Sequence, residues 1–64
     1  MDHSYVIIDG QQHLVAVTAH IATARKRLKE RAGRHIVRLS ASGATFELRD
    51  FAGHTFRIHG EEVN

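Results

Sequence analysis

The clearest periodicity along the chain lies in its middle. Ile21, Ala24, Leu28 and Ala32 recur at spacings of three, four and four, which puts them on one apolar stripe of a helix. Thr18 precedes the stripe as a candidate N-cap and Gly33 follows it as a left-handed C-cap, so the helix is predicted at about 19 to 32. After Gly33 the period changes to two. Val37, Leu39 and Ala41 share one face, and Ser42-Gly43 reads as a two-residue hairpin turn that sets Leu39 opposite Phe46, Val37 opposite Leu48 and Arg38 opposite Glu47. A three-residue loop, Phe51-Ala52-Gly53, then pairs Leu48 with Phe56, Phe46 with Ile58 and Glu47 with Arg57. The N-terminal part reads as one more hairpin, Tyr5 to Asp9 and His13 to Val17. A Gly10-Gln11 turn there would set Ile7 opposite Leu14 and Tyr5 opposite Ala16, leaving Val6, Ile8, Val15 and Val17 on the other face.

These elements predict a single α+β domain spanning 1–64, with one helix packed on a five-stranded, mainly antiparallel sheet in the order β-β-α-β-β-β. Both faces of the N-terminal hairpin are apolar, whereas one helix covers one face. The second face is therefore expected either beneath the chain termini or at an interface. No linker, repeat or low-complexity stretch interrupts the pattern, and there is no proline.

With 64 residues, the chain has room for one small core, and a body of this size buries only about 60% of the surface its unfolded form exposes. There are no cysteines, which excludes disulfides and thiolate zinc sites as supports, so idealised local structure or a homodimer must supplement the core. The apolar run Tyr5 to Ile8 is too short for a signal peptide or a membrane span, and no basic segment precedes it; a cytoplasmic protein is expected.

Charge changes the picture more than composition does. A formal net charge of +2 conceals the segment 25 to 38, where Arg25, Lys26, Arg27, Lys29, Arg31, Arg34 and Arg38 face the single acid Glu30. Such a block either keeps a helix face solvated or attracts phosphates or an acidic protein surface. The meander adds Arg38, Glu47 and Arg57 in one predicted cross-strand row with Arg49 beside it. That row is either a surface ion ladder or a guanidinium face for carboxylate or phosphate. Phe51, in its turn, is either an exposed anchor or a loop residue folded over the helix end.

Chemistry-bearing motifs are sparse. The six histidines, His3, His13, His20, His35, His54 and His59, show no i, i+4 pair on the helix and no convergent ligand spacing, so no metal site is expected. Ser40 and Ser42 lack a nucleophile elbow, and the five glycines are isolated turn or cap residues rather than a phosphate loop. The sequence therefore reads as a non-enzyme without cofactor. Its candidate partner-binding residues are Arg25, Lys26, Lys29, Arg31, Arg34, Arg38, Arg49, Phe51 and Arg57.

The order strand, strand, helix and meander, opening with Tyr5-Val6-Ile7-Ile8 and carrying Ala22-Thr23-Ala24-Arg25-Lys26-Arg27 in the helix, resembles small phage-encoded anti-CRISPR proteins that inhibit type I systems. The resemblance implies a non-catalytic cytoplasmic protein of the bacterial host cell that binds the RNA-guided surveillance complex and keeps target DNA from pairing with the guide. It carries no binding residue over by motif, and the basic helix departs from the acidic mode of a DNA mimic. A nucleic-acid-binding module using the basic helix and a dimeric structural or regulatory protein are the alternative readings.

Overall fold

The structure, a computed structural model, describes residues 3 to 63. It contains strands β1 (Tyr5–Ile8) and β2 (Leu14–Thr18), helix α1 (Ile21–Glu30), and strands β3 (His35–Arg49) and β4 (Thr55–Glu62). The fold is α+β, with one four-stranded sheet in the order β2-β1-β3-β4 and every neighbouring pair antiparallel. β2 and β3 consequently run parallel with β1 between them, and α1 makes the crossover.

Four strands replace the predicted five because Ser42-Gly43 is not a hairpin. Leu39 and Ala44 both stand opposite Gly60, and Ser40 to Gly43 loop out of the ladder as a wide bulge within one strand of 15 residues. The expected pairs of Leu39 with Phe46, Val37 with Leu48 and Arg38 with Glu47 are absent for that reason. Their places are taken by the end of β4, which sets Glu62 opposite Val37 and Glu61 opposite Arg38. Gly60 makes this possible. A Cβ there would collide with the Arg38 carbonyl oxygen, and a Cβ on Gly43, at φ +117, would lie 2.6 Å from the Gly60 carbonyl oxygen. The second predicted register holds: Leu48 pairs with Phe56, Phe46 with Ile58 and Glu47 with Arg57.

The bulge also bends the strand. Val37 and Leu48 are both fully buried and belong to one apolar cluster with Val6 and Ile8. Eleven residues of straight strand would separate them by about 36 Å, more than the 30 Å longest extent of the molecule. The far half of the β3–β4 hairpin therefore folds across the sheet face opposite α1, adding Phe46, Phe56 and Ile58 to that cluster. Its end is tied down where the Arg49 amide donates to the Gln12 carbonyl at 2.9 Å. The chain's own hairpin thus covers Val6 and Ile8 of the second apolar face, whereas Val17 is left 59% exposed and Val15 packs on the α1 side instead. On the other side Ile7, Ala24 and Ile36 form a second cluster with Ile21, Leu28, Val15, Ala16 and Val63.

The N-terminal hairpin is offset from the expected register by one residue at Ile8 and by two from Ile7 back to Tyr5. Ile8 pairs with Leu14, Ile7 with Ala16 and Val6 with Val17, with a register shift at Val15. The cause is its turn. Asp9 Oδ1 accepts from the Gln11 and His13 amides at 2.8 and 2.9 Å, and Gln12 takes a left-handed φ of 65. The turn after β3 repeats this arrangement: Asp50 Oδ1 accepts from the Ala52 and His54 amides, both at 2.9 Å, with Gly53 left-handed at φ 86. Each turn also sets its histidine Nδ1 against the other carboxylate oxygen, at 3.6 and 3.7 Å. Asp, three residues, His is a shared spacing visible in the sequence, and it marks both turns.

At the helix, α1 starts two residues later than predicted, with His20 at the N-cap and no side-chain cap bond. Thr18 Oγ1 instead accepts from the His20 amide at 3.3 Å. At the other end Ala32, not Gly33, adopts the left-handed conformation, φ 52, while the Gly33 amide donates to the Leu28 carbonyl at 2.8 Å. Gly33 is required by space: a Cβ would lie 2.6 Å from Ile7 Cγ2.

Leu48→Ala should cost about 2–5 kcal/mol by chemical denaturation, and Gly60→Ala should be at least as damaging because the bend cannot close around a Cβ. Ala32→Gly should instead stabilise by roughly 0.5–1 kcal/mol, since it removes left-handed strain greater than the added glycine entropy. The backbone amides of His13 and of His54 are the main cause holding Asp9 and Asp50, respectively, below the usual carboxylate value of 3.8. Depressed folded-state values mean that their stabilisation is present above pH about 4 and is lost as pH falls through the folded-state pKa values. In an acid titration followed by circular dichroism, Asp9→Asn with Asp50→Asn should flatten the stability loss below that pH; an unchanged acid limb would show that the turns do not set it.

Candidate interaction surface

The helix owes its exposed faces to arithmetic. Ile21, Ala24 and Leu28 turn toward the sheet, so the good helix formers Arg25, Lys26, Arg27, Lys29 and Glu30 are left to solvent, and Arg27 and Lys29 occupy the last turn, where the macrodipole favours cations. Arg27 lies 3.5 Å from Glu30. Arg25, Lys26, Lys29 and Arg31 have no acidic partner among the described residues.

The remaining candidates separate into two other groups. Arg38 and Arg57 are neutralised within the sheet, the first by Glu61 at 2.8 Å and the second by Glu47 at 3.6 Å. The expected row of Arg38, Glu47 and Arg57 does not exist, because the bulge places Arg38 in the half of β3 paired with the end of β4 and Glu47 in the folded-over half. Arg34, Arg49 and Phe51 gather around the two Asp-to-His turns. A Cβ on Gly10 would lie 3.4 Å from Arg34 Nη1, Arg49 is tied to Gln12, and Phe51 stands 81% exposed in its turn. Phe51 is therefore a projecting side chain and does not fold over the helix.

Beside α1, an open groove of about 560 Å³ is lined by Arg25, Lys26, Leu28, Lys29 and Ile36. It arises because the helix lies over β1 and β2 and reaches β3 through Ile36, leaving the β3–β4 side of the same sheet face without a second layer. Val63, whose amide donates to the Ile36 carbonyl at 2.9 Å, packs against the same cluster. Sequence reasoning found the three basic residues but missed the groove, since nothing local in the pattern reports where a helix stops covering a sheet. A smaller polar cleft of about 230 Å³ lies between the turns, against Gln11, Gln12, Glu47, Leu48, Arg49 and Thr55.

The histidines are dispersed. His35 Nδ1 stands 3.1 Å from Glu62 Oε1 at an angle that makes no hydrogen bond, and His59 Nδ1 meets Thr45 Oγ1 at 3.1 Å. Among the described residues no three histidine, aspartate or glutamate side chains converge, and no helix is long and apolar enough to cross a membrane. No family model, curated protein or solved structure matches the chain.

Proposed function

We propose that this chain is a non-enzymatic, cytoplasmic binding protein that docks onto an acidic surface of a macromolecular partner through α1. In the form suggested by its resemblance to small phage inhibitors, the partner is a type I CRISPR surveillance complex, and the bound protein keeps target DNA from the guide. The observation that supports the reading is the contrast in charge pairing. Arg38 and Arg57 are neutralised in place, whereas Arg25, Lys26 and Lys29 stand together on one helix flank with no acidic partner among the described residues. Exposed unpaired cations raise association rates with acidic surfaces and cost little to desolvate at a rim. A nucleic-acid module would use the same charges, but sheet readers of nucleic acid add stacking aromatics. Here Phe46 and Phe56 pack against the core and Phe51 projects from a distant turn.

Occupying a surface is stoichiometric. Inhibition of a purified type I complex should saturate at a fixed ratio and be strong when the protein is added before target DNA and weak when added after the guide has paired. Arg25→Glu with Lys29→Glu should weaken co-elution with the complex roughly tenfold or more while leaving far-UV circular dichroism unchanged. The proposal fails if no co-elution occurs and the protein instead binds free DNA with a steep salt dependence, about one unit of log–log slope per phosphate neutralised.

A further inference from the structure

The groove beside α1 has a composition that a purely electrostatic patch does not need. Its lining combines the half-buried Leu28 and the buried Ile36 with three long basic side chains, whose methylene stems extend the apolar wall while their charges reach the rim. The lining residues include no carboxylate, hydroxyl or amide side chain, so nothing in the groove can hydrogen-bond an uncharged polar ligand apart from the cationic heads. Its volume lies within the roughly 300–1,000 Å³ range of ligand-holding clefts.

We infer, resting on the reading of α1 as the docking surface, that this groove accepts an acidic amphipathic polypeptide segment, inserting an apolar side chain between Arg25 and Lys29 while its flanking carboxylates meet the rim. Charge selects this occupant. A second copy of the chain would bring a basic helix flank against another, and like charges so placed repel. Nucleic acid would satisfy the cations and stack a base on the Arg25 guanidinium, but it would leave the aliphatic Leu28 wall without an apolar side chain to cover it. Carboxylates spaced around a leucine, methionine or phenylalanine satisfy both requirements, as amphipathic helices do when they lay an apolar face into a groove. The open side of the sheet face leaves room for such a segment to lie alongside α1.

The test is an NMR titration of the full chain with methyl and amide labels, using a synthetic peptide of about twelve residues with leucines at helical i, i+3 and i+4 spacing and glutamates elsewhere. The controls are the same peptide with serine in place of leucine, and single-stranded DNA. Binding of the leucine peptide should move the Leu28 and Ile36 methyl signals, and the serine peptide should bind roughly tenfold or more weakly. Lys29→Met, which keeps the stem and removes the charge, should weaken the leucine peptide measurably, and the Arg25→Glu, Lys29→Glu pair should abolish the methyl shifts with the amide spectrum still dispersed. Equal binding of the serine peptide or of DNA, with the methyl signals unmoved, overturns the groove inference. Co-elution with the surveillance complex that is lost on charge reversal would in that case leave the docking role of α1 standing. Co-elution that survives charge reversal would remove that role as well.

Discussion

The close approach of Gly60 to β3 governs the rest of this structure. Two residues of β3 share Gly60 as their cross-strand partner, and the four residues between them leave the ladder. A backbone-to-backbone contact of this kind tolerates no side chain, so a single glycine decides whether β3 runs straight or bends. Bending has a large return in a chain of 64 residues. It lets one hairpin serve twice, first as sheet and then as the layer covering that sheet's second face. A small domain with one helix and no disulfide otherwise exposes half of its apolar sheet to water.

That constraint also explains which parts of the fold were legible in the sequence. Periodicity identified the helix stripe Ile21, Ala24 and Leu28, and the Phe51–Gly53 loop fixed the Leu48–Phe56 register, because both signals are local. Gly60 was legible only as a turn residue, since a glycine admitting close approach and a glycine closing a turn look alike until the strand lying across it is known. Ser42-Gly43 was misread for a related reason: the residues suited a hairpin, but tertiary pairing of β1 and β4 with the first half of β3 occupied both of its edges. In the N-terminal hairpin a Gly10-Gln11 pair is a local turn signal, but the Asp9 carboxylate organises a longer turn by gathering two amides. At the helix end, the general preference of glycine for left-handed backbone yielded to a packing demand. Gly33 has to sit against Ile7 and Leu28, which leaves Ala32 to take the left-handed place.

The candidate site was legible by residue type and illegible by grouping. Nine residues proposed from charge and exposure fall into three sets at different places on the molecule, and the bend is what separates them. By bringing Glu61 to Arg38, and by turning Glu47 and Arg57 out on the folded-over half, it neutralises the sheet's own arginines. Pairing of this kind at a surface contributes little to stability, but it changes the charge that the surface presents. Among the described residues Arg25, Lys26 and Lys29 are left without an acidic partner along one side of a groove, and the contrast is a product of topology rather than of composition.

The helix flank and the groove have a common origin in the order of the strands. α1 crosses from β2 to β3 over β1, so it covers the half of the sheet it connects and leaves the β3–β4 half of the same face thinly layered. The sequence places leucine on the stripe at 28 and lysine one residue on, at the helix border. Any helix crossing there with that spacing must present an apolar side chain and a cation side by side at the uncovered edge. A surface of mixed character is therefore built into the crossover: the residues that anchor α1 to the sheet and the cations exposed beside them are neighbours on one turn, and a change at Leu28 disturbs both while a change at Lys29 disturbs one.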